Sequence, residues 1–185
     1  MVDVAVVGGG PAGLSAALFA AKNGLDTVLF DTDETWMHKA HLFNYLGIRS
    51  VDGEEFMTLA RGQTEDRGAD LRDEAVESIE GGEQFTVHTA DDSVDATYVV
   101  LATGADRSLA EDLGCAFDDD DTVEATLGME TSVENLYATG AMVRAEEWQA
   151  VISAGDGAAA ALNILSEEKG EHYHDFDTPA DVPDV

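Results

Sequence analysis

Residues 3–13 read Asp-Val-Ala-Val-Val-Gly-Gly-Gly-Pro-Ala-Gly, and residues 27–31 read Thr-Val-Leu-Phe-Asp. The first run predicts a strand, a glycine-rich turn and the start of a helix, and the second predicts another strand. Together they predict a βαβ unit of the dinucleotide-binding kind. Gly8 permits the tight turn, Gly10 lets a pyrophosphate approach the backbone, and Gly13 lets the helix pack close to the sheet. Unpaired N–H groups at the helix start then face the phosphates, and Asp31 lies where a carboxylate accepts hydrogen bonds from ribose hydroxyls.

The context of the glycines separates this motif from a chance match. A helix is predicted from about Pro11 to Asn23, Gly24 follows it, and Asp31 comes 18 positions after Gly13. The alternative is a Rossmann-type unit whose glycines serve structure alone.

Composition indicates one folded domain with an acidic surface. The 185 residues carry 9 Lys plus Arg and 39 Asp plus Glu, a net charge of −30, with 44% hydrophobic residues. Such a surface repels nucleic acids and anionic membranes, so neither is an expected partner. Its composition is similar to that of halophilic archaeal proteins from a cytoplasm of concentrated salt, where charge repulsion is screened. A surface that binds a basic partner is the alternative.

The sequence predicts neither a membrane span nor a metal site. No run of about 18 apolar residues occurs, and the chain starts directly with a strand, so a cytoplasmic location is expected. His38 and His41 lack a further ligand to complete a tetrahedral set. The run of Asp118 to Asp121 and the His-containing C-terminal segment are interpreted as solvated charged surface. No metal is expected.

Cys115 is the only cysteine. The chain therefore contains no Cys-x-x-Cys pair and no intrachain disulfide. Its apolar neighbours favour a small buried residue over a reactive thiol.

The rest of the chain predicts a long α/β domain over residues 1–168 and an acidic tail over 169–185. Two apolar strands end in Thr-Gly, at residues 103–104 and 139–140. The other predicted elements are a helix over 53–68, strands over 69–79, 84–89 and 96–102, and a helix over 146–168.

In this order, the motifs resemble the FAD domain of the thioredoxin reductase-like flavoproteins, the pyridine nucleotide-disulfide oxidoreductase family. The matching runs are residues 8–13, 44–47 in the place of an Asn-aromatic-Pro-Gly turn, 102–105, 130–140 and 148–157. The resemblance covers about residues 3 to 168, with one interruption. It implies an α/β, Rossmann-like FAD-binding fold of three layers, with a central parallel sheet and a small antiparallel sheet.

The resemblance also implies FAD as the cofactor and a position for each binding residue. It places Asn44 beside the flavin and Val76 at the adenine. Trp36 and Trp148 are expected near the flavin, although helix packing also accounts for Trp148. The other implied contacts are Gly8, Gly10, Pro11, Ala12 and Gly13 at the pyrophosphate, Asp31 and Thr32 at the ribose, Ala102, Thr103 and Gly104 along the cofactor, Gly140 and Ala141 at the ribityl chain, and Gln149, Ala150 and Val151 at a helix start facing the flavin.

Two departures from the family pattern change the expected function. Ala141 stands where family members usually carry an aspartate that binds the ribityl chain, which predicts weaker FAD binding. Residues 105–129 replace a whole NAD(P)H-binding domain, and they are too few for a βαβ unit of about 30 residues or more. The family's redox-active Cys-x-x-Cys belongs to the same missing segment.

The expected activity is therefore FAD-dependent oxidoreduction without an internal dithiol or NAD(P)H domain. Electrons would come from a redox partner protein or a small-molecule donor, and no residue is singled out as catalytic. The alternatives are a non-catalytic flavin-binding or electron-carrier subunit, and a Rossmann-like fragment that binds NAD(H). A homodimer is expected to cover the surface left by the missing domain.

Overall fold

The N-terminal βαβ unit forms as its sequence predicts. The computed structural model describes residues 1–82 and 84–181. Strand β1 (Val2–Val7) leads through the glycine turn into helix α1 (Pro11–Lys22), and strand β2 (Thr27–Phe30) returns parallel to β1. All four residues of β2 are buried, as in a parallel strand covered on both faces.

The remaining elements follow in chain order after a 3-10 turn at Trp36–Lys39. They are β3 (His41–Leu42), β4 (Val51–Asp52), α2 (Gly53–Asp66), β5 (Asp70–Arg72), β6 (Val76–Glu80), β7 (Phe85–Thr89), β8 (Ser93–Leu101), α3 (Ser108–Asp112), β9 (Leu136–Ala138) and α4 (Ala150–Lys169), with short 3-10 turns at Gly140–Val143 and Pro179–Asp181.

One mixed sheet of seven strands organises the molecule. Its order is β5-β2-β1-β8-β7-β6, and β9 pairs with β8. Strand β8 joins two parts of the sheet because its first residues pair antiparallel with β7, whereas its last residues pair parallel with β1 and β9. The antiparallel hairpin is thus continuous with the parallel strands, and β3 and β4 form a separate antiparallel pair.

The sheet separates two apolar cores and so gives the fold three layers. On one face, α1, α2 and α4 pack on alternate residues of β1, such as Val4 and Val6. On the other face, Ala5 and Val7 of the same strand pack with the hairpin and α3. This alternation follows from the two-residue period of a strand.

Helices α1 and α4 cross at very close range. A Cβ atom added at Gly157 would lie 1.9 Å from the Ala12 carbonyl oxygen and 3.1 Å from the Ala16 nitrogen. Only glycine permits this approach, which brings the first turn of α1 against the middle of α4.

Two predicted elements differ from the structure in their boundaries. The predicted strand over 69–79 is two strands, β5 and β6, because the chain turns at residues 73–75 to leave the parallel sheet and enter the hairpin. The predicted helix over 146–168 begins at Ala150, since Gln149 has an extended backbone with ψ of 143°. The indole N–H of Trp148 donates to the Arg144 carbonyl and holds the preceding loop.

The predicted tail is partly attached to α1. Lys22 lies 2.7 Å from an Asp175 carboxylate oxygen and 2.6 Å from one of Asp177, and the Tyr173 hydroxyl donates to the Asn23 side chain. Tyr173 and Asp175 are half-buried, so these two residues depart from the solvated surface that was expected of this segment. Residues 182–185 of that tail lie outside the described residues.

Across residues 1–82 and 84–181, none of the helices combines the length and apolar character needed to cross a lipid bilayer.

Candidate cofactor site

A cleft of about 580 Å³ opens where the parallel strands end. Val7, Phe30, Ala102 and Thr139, which end or follow β1, β2, β8 and β9, line its floor. Open α/β sheets bind ligands at this edge, and the volume lies in the usual range for ligand pockets.

The glycine turn forms one wall of the cleft. Gly8 has φ of +106°, and a Cβ there would lie 2.3 Å from the Ala102 carbonyl oxygen. A Cβ at Gly13 would lie 1.8 Å from the Gly8 carbonyl oxygen, so this glycine sets the close packing of α1 on the turn. Gly10 differs, because a Cβ there would meet only the Thr35 hydroxyl, at 3.6 Å. The space in front of Gly10 is the cleft itself.

Two helix N-termini lie on the same cleft. Ala12 of α1 and Ala150 of α4 both line it. Within residues 1–82 and 84–181, no side chain caps either helix, and neither first turn contains an acidic residue. The first N–H groups of a helix have no intrahelical partner, and they carry the positive end of the helix dipole. The cleft therefore offers two places for negative charge.

Asp31 is fixed at the end of β2 by two internal contacts. It is 7% exposed. One carboxylate oxygen accepts from the Gly9 backbone N–H at 3.0 Å, and the other accepts from Arg61 of α2. Arg61 also donates to Asp73 at 2.7 Å. A carboxylate accepts about four hydrogen bonds, so this arrangement leaves capacity for ribose hydroxyls.

The cleft is lined by acidic but not basic side chains. Among the described residues that line it there is no Lys, Arg or His. Hydrogen bonds from the backbone N–H and hydroxyl of Ser108 lower the pKa of Asp106, which keeps this group charged. The acidic lining residues are Asp31, Glu34, Glu74, Glu77, Asp106 and Asp112.

The turn at Gly140 and Ala141 is held by Arg107, whose chain neighbours Asp106 and Ser108 line the cleft. Gly140 has φ of +65°. Arg107 donates to the carbonyl oxygens of Ala141 and Met142, both at 3.1 Å. These bonds fix the backbone at the position where the family pattern has an aspartate.

The structure brings together most of the residues singled out from the sequence. Asn44 does not line the cleft, because it lies in the exposed loop of the β3–β4 pair. Gly13, Gln149 and Val151 also lie outside the lining set, although Gln149 and Val151 flank Ala150. The residues that do line it are Gly8, Gly10, Pro11, Ala12, Asp31, Thr32, Val76, Ala102, Thr103, Gly104, Gly140, Ala141 and Ala150.

Sequence reasoning missed several polar residues of the site. Glu74 and Glu77 lie in or beside the turn that interrupts the predicted strand over 69–79. One carboxylate oxygen of Glu74 is buried and has no hydrogen-bond partner among the described residues. No short sequence motif identified Arg61, because its contact with Asp31 joins residues 30 positions apart in the sequence.

The sheet order, the glycine turn and the cleft define a Rossmann-like α/β protein. The family model of the pyridine nucleotide-disulphide oxidoreductases matches residues 2–105 and 45–157. The chain belongs to this family.

Comparisons with individual proteins agree with this assignment. A thioredoxin reductase from Mycolicibacterium smegmatis is 36% identical over 108 residues, which cover 56% of this chain and 35% of that protein. The chain thus spans about a third of the length of this relative. The aspartate that the resemblance leads us to expect after Gly140 is absent from this chain, as is the cysteine pair.

Two solved structures show the same fold at low identity. A thioredoxin reductase from Gloeobacter violaceus superposes with a TM-score of 0.86 at 19% identity, covering 96% of this chain and 99% of that chain. A ferredoxin-flavin thioredoxin reductase from Clostridium acetobutylicum gives a TM-score of 0.80 at 18% identity, covering 92% and 99%.

Proposed function

We propose that the chain binds FAD in this cleft and acts as an FAD-dependent oxidoreductase. The observation that carries the proposal is the meeting of a glycine turn and two uncapped helix N-termini on one cleft. FAD is a long dinucleotide with a central pyrophosphate, and the backbone at Gly10 is open to a ligand of that kind. The family assignment supports the same cofactor.

In this proposal, each group of residues around the cleft binds one part of FAD. The glycine turn and the first turn of α1 bind the pyrophosphate. Asp31 and Thr32 bind the adenosine ribose, and the backbone near Val76 meets the adenine. The start of α4 lies beside the flavin, where its positive end favours negative charge on the ring.

FAD supplies the chemistry of accepting and passing on electrons. This chain's own residues bind and orient it. Cys115 is the only cysteine of the chain and is buried behind the sheet, where burial raises the pKa of its thiol. It is therefore a poor redox partner for the cofactor.

The electron donor is proposed to be a separate molecule. Residues 105–129 form α3 and irregular backbone, and within the described residues they contain no βαβ unit for a second nucleotide. A partner protein or a small molecule would then reach FAD from the side that this short segment leaves open. The ferredoxin named for the structurally similar clostridial enzyme is one class of donor to test.

The test uses one glycine at the cofactor and one away from it. Gly10→Ala adds a methyl group that the protein accommodates but that stands against the phosphates, so FAD affinity falls while the melting temperature is unchanged. Gly62→Ala is the matched control, because a Cβ at Gly62 of α2 meets nothing within 4 Å. FAD binding is measured by absorbance of the retained flavin after gel filtration in concentrated KCl.

Wild-type protein that retains no flavin refutes the proposal. If Gly10→Ala and Gly62→Ala retain equal amounts of flavin, Gly10 does not contribute to FAD binding. Anaerobic loss of flavin absorbance with NADH, NADPH or reduced ferredoxin identifies the donor, and absence of reduction by all three favours the carrier alternative.

A further inference from the structure

The two tryptophans of the chain meet at the cleft. Trp36 and Trp148 are the only tryptophans in the sequence, and both line the cleft. Their ring centroids are 5.4 Å apart with an angle of 50° between the planes. They come from opposite sides of the site, one from the turn after β2 and the other from the loop before α4.

The two rings are held very differently. The indole N–H of Trp148 donates to the Arg144 carbonyl at 2.8 Å. Arg144 is itself fixed by a two-pronged ion pair with the buried Asp156 of α4, at 2.6 and 2.8 Å. Trp148 is thus a fixed wall, attached to the helix whose N-terminus faces the cleft.

Trp36 has few constraints. It lies in a 3-10 turn whose Thr35 hydroxyl accepts from the Met37 N–H at 3.3 Å, and 65% of the residue is exposed to solvent. Trp148 is 37% exposed. Large aromatic side chains of monomeric proteins usually bury more of their surface, so both rings keep surface available for a further planar group.

The charge of the cleft makes such a planar contact important. Six carboxylates and no basic side chain line the described cleft, whereas FAD carries a negatively charged pyrophosphate. Ion pairs with lining residues therefore contribute nothing to FAD affinity. The favourable contacts left are hydrogen bonds from backbone N–H groups and from the polar side chains that meet FAD hydroxyls, together with apolar or aromatic surface. Stacking between uncharged aromatic rings carries no charge repulsion.

We propose that Trp36 and Trp148 bind the isoalloxazine ring of FAD. Trp148 forms a fixed wall of the binding site, and the indole of Trp36 reorients to stack on the isoalloxazine. This inference rests on the proposed function. It assigns two binding residues and names the flavin ring, as opposed to the adenosine, as the group they recognise.

The first experiment compares two ligands, FAD and ADP, and two variants. ADP carries the adenosine and phosphates of FAD but lacks the flavin. Trp36→Ala is expected to weaken FAD binding about tenfold, the equivalent of about 1.4 kcal/mol, and to change ADP binding less than twofold. Phe43→Ala is the matched control, because Phe43 is also an exposed aromatic residue, at 74%, but lies outside the cleft lining.

Tryptophan emission gives a second readout, since the two cleft tryptophans are its only source. Trp36→Phe and Trp148→Phe each leave one emitter, and FAD is expected to quench both strongly, whereas ADP leaves them nearly unchanged. Wild-type protein that binds FAD with unchanged emission, or Trp36→Ala that binds FAD as tightly as Phe43→Ala, overturns this inference alone. Failure of wild-type protein to bind FAD overturns the proposed function.

Discussion

Replacement of Gly157 by alanine tests the packing that positions the cleft. The added Cβ would lie 1.9 Å from the Ala12 carbonyl oxygen, and an ordinary contact begins near 3.4 Å, so the two helices must separate by about 1.5 Å. Overpacking of this kind lowers the free energy of unfolding by about 3 kcal/mol. Alanine also favours the helix over glycine by about 1 kcal/mol, so the net loss in the free energy of unfolding is about 2 kcal/mol.

Gly155→Ala is a control in the same helix. Gly155 is exposed, and a Cβ there meets nothing within 4 Å, so only the propensity gain of about 1 kcal/mol remains. For a protein of this size, 1 kcal/mol corresponds to about 2–4 °C. Gly157→Ala should then melt about 4–8 °C below wild type, and Gly155→Ala about 2–4 °C above it.

Thermal melts and urea titrations in concentrated KCl measure the change in the free energy of unfolding. An unchanged slope of that free energy against urea concentration shows that the substitutions leave the unfolded state the same. Because Ala12 lines the cleft, Gly157→Ala should also weaken FAD binding. If both variants are stabilised equally, α1 and α4 do not cross at this distance, and the account of the site geometry fails.

Three other predictions concern salt, pH and the thiol. FAD affinity should rise about tenfold between 0.1 and 1 M KCl. Each cleft carboxylate and FAD phosphate about 10 Å apart repel each other by about 0.4 kcal/mol in water, and salt screens this repulsion. Calorimetric titration measures the affinity, and the affinity for uncharged riboflavin should not depend on salt in this way. Burial raises the pKa of Tyr98 to about 12. Tyr98 therefore ionises at lower pH in the unfolded chain than in the folded protein, so the free energy of unfolding should fall as pH rises from about 10 to 12. Urea titrations at each pH measure this fall, which should be smaller in Tyr98→Phe. Cys115 should react with iodoacetamide much more slowly in the native protein than in urea, because burial raises the pKa of its thiol and restricts access of the reagent. Equal reaction rates in native and urea-unfolded protein would show that the thiol is exposed.

The parts of the fold that depend on local pattern were predictable from the sequence. Residues 3–31 specify their βαβ unit because the strand, turn and helix signals are adjacent in the chain and agree with one another. The apolar run before Thr103 and Gly104 likewise predicted a strand, and the last four residues of β8 are buried. The family resemblance then supplied the three-layer FAD-binding fold into which these elements assemble.

The parts that depend on distant contacts were not predictable. Asp31 is fixed by Arg61, 30 positions away, and the loop before α4 is fixed by the ion pair of Arg144 with Asp156, 12 positions away. Neither pair leaves a local pattern in the sequence. The loop that contains Asn44 illustrates the limit of a resemblance. Its matching residues do not place its side chain at the cleft in this structure.

The most direct test of the account is an equilibrium titration of purified wild-type protein with FAD in concentrated KCl, followed by both flavin absorbance and tryptophan emission. The account predicts saturable binding of one FAD per chain with loss of tryptophan emission. Protein that is colourless after free FAD is removed, and that keeps its full tryptophan emission in excess FAD, would contradict it.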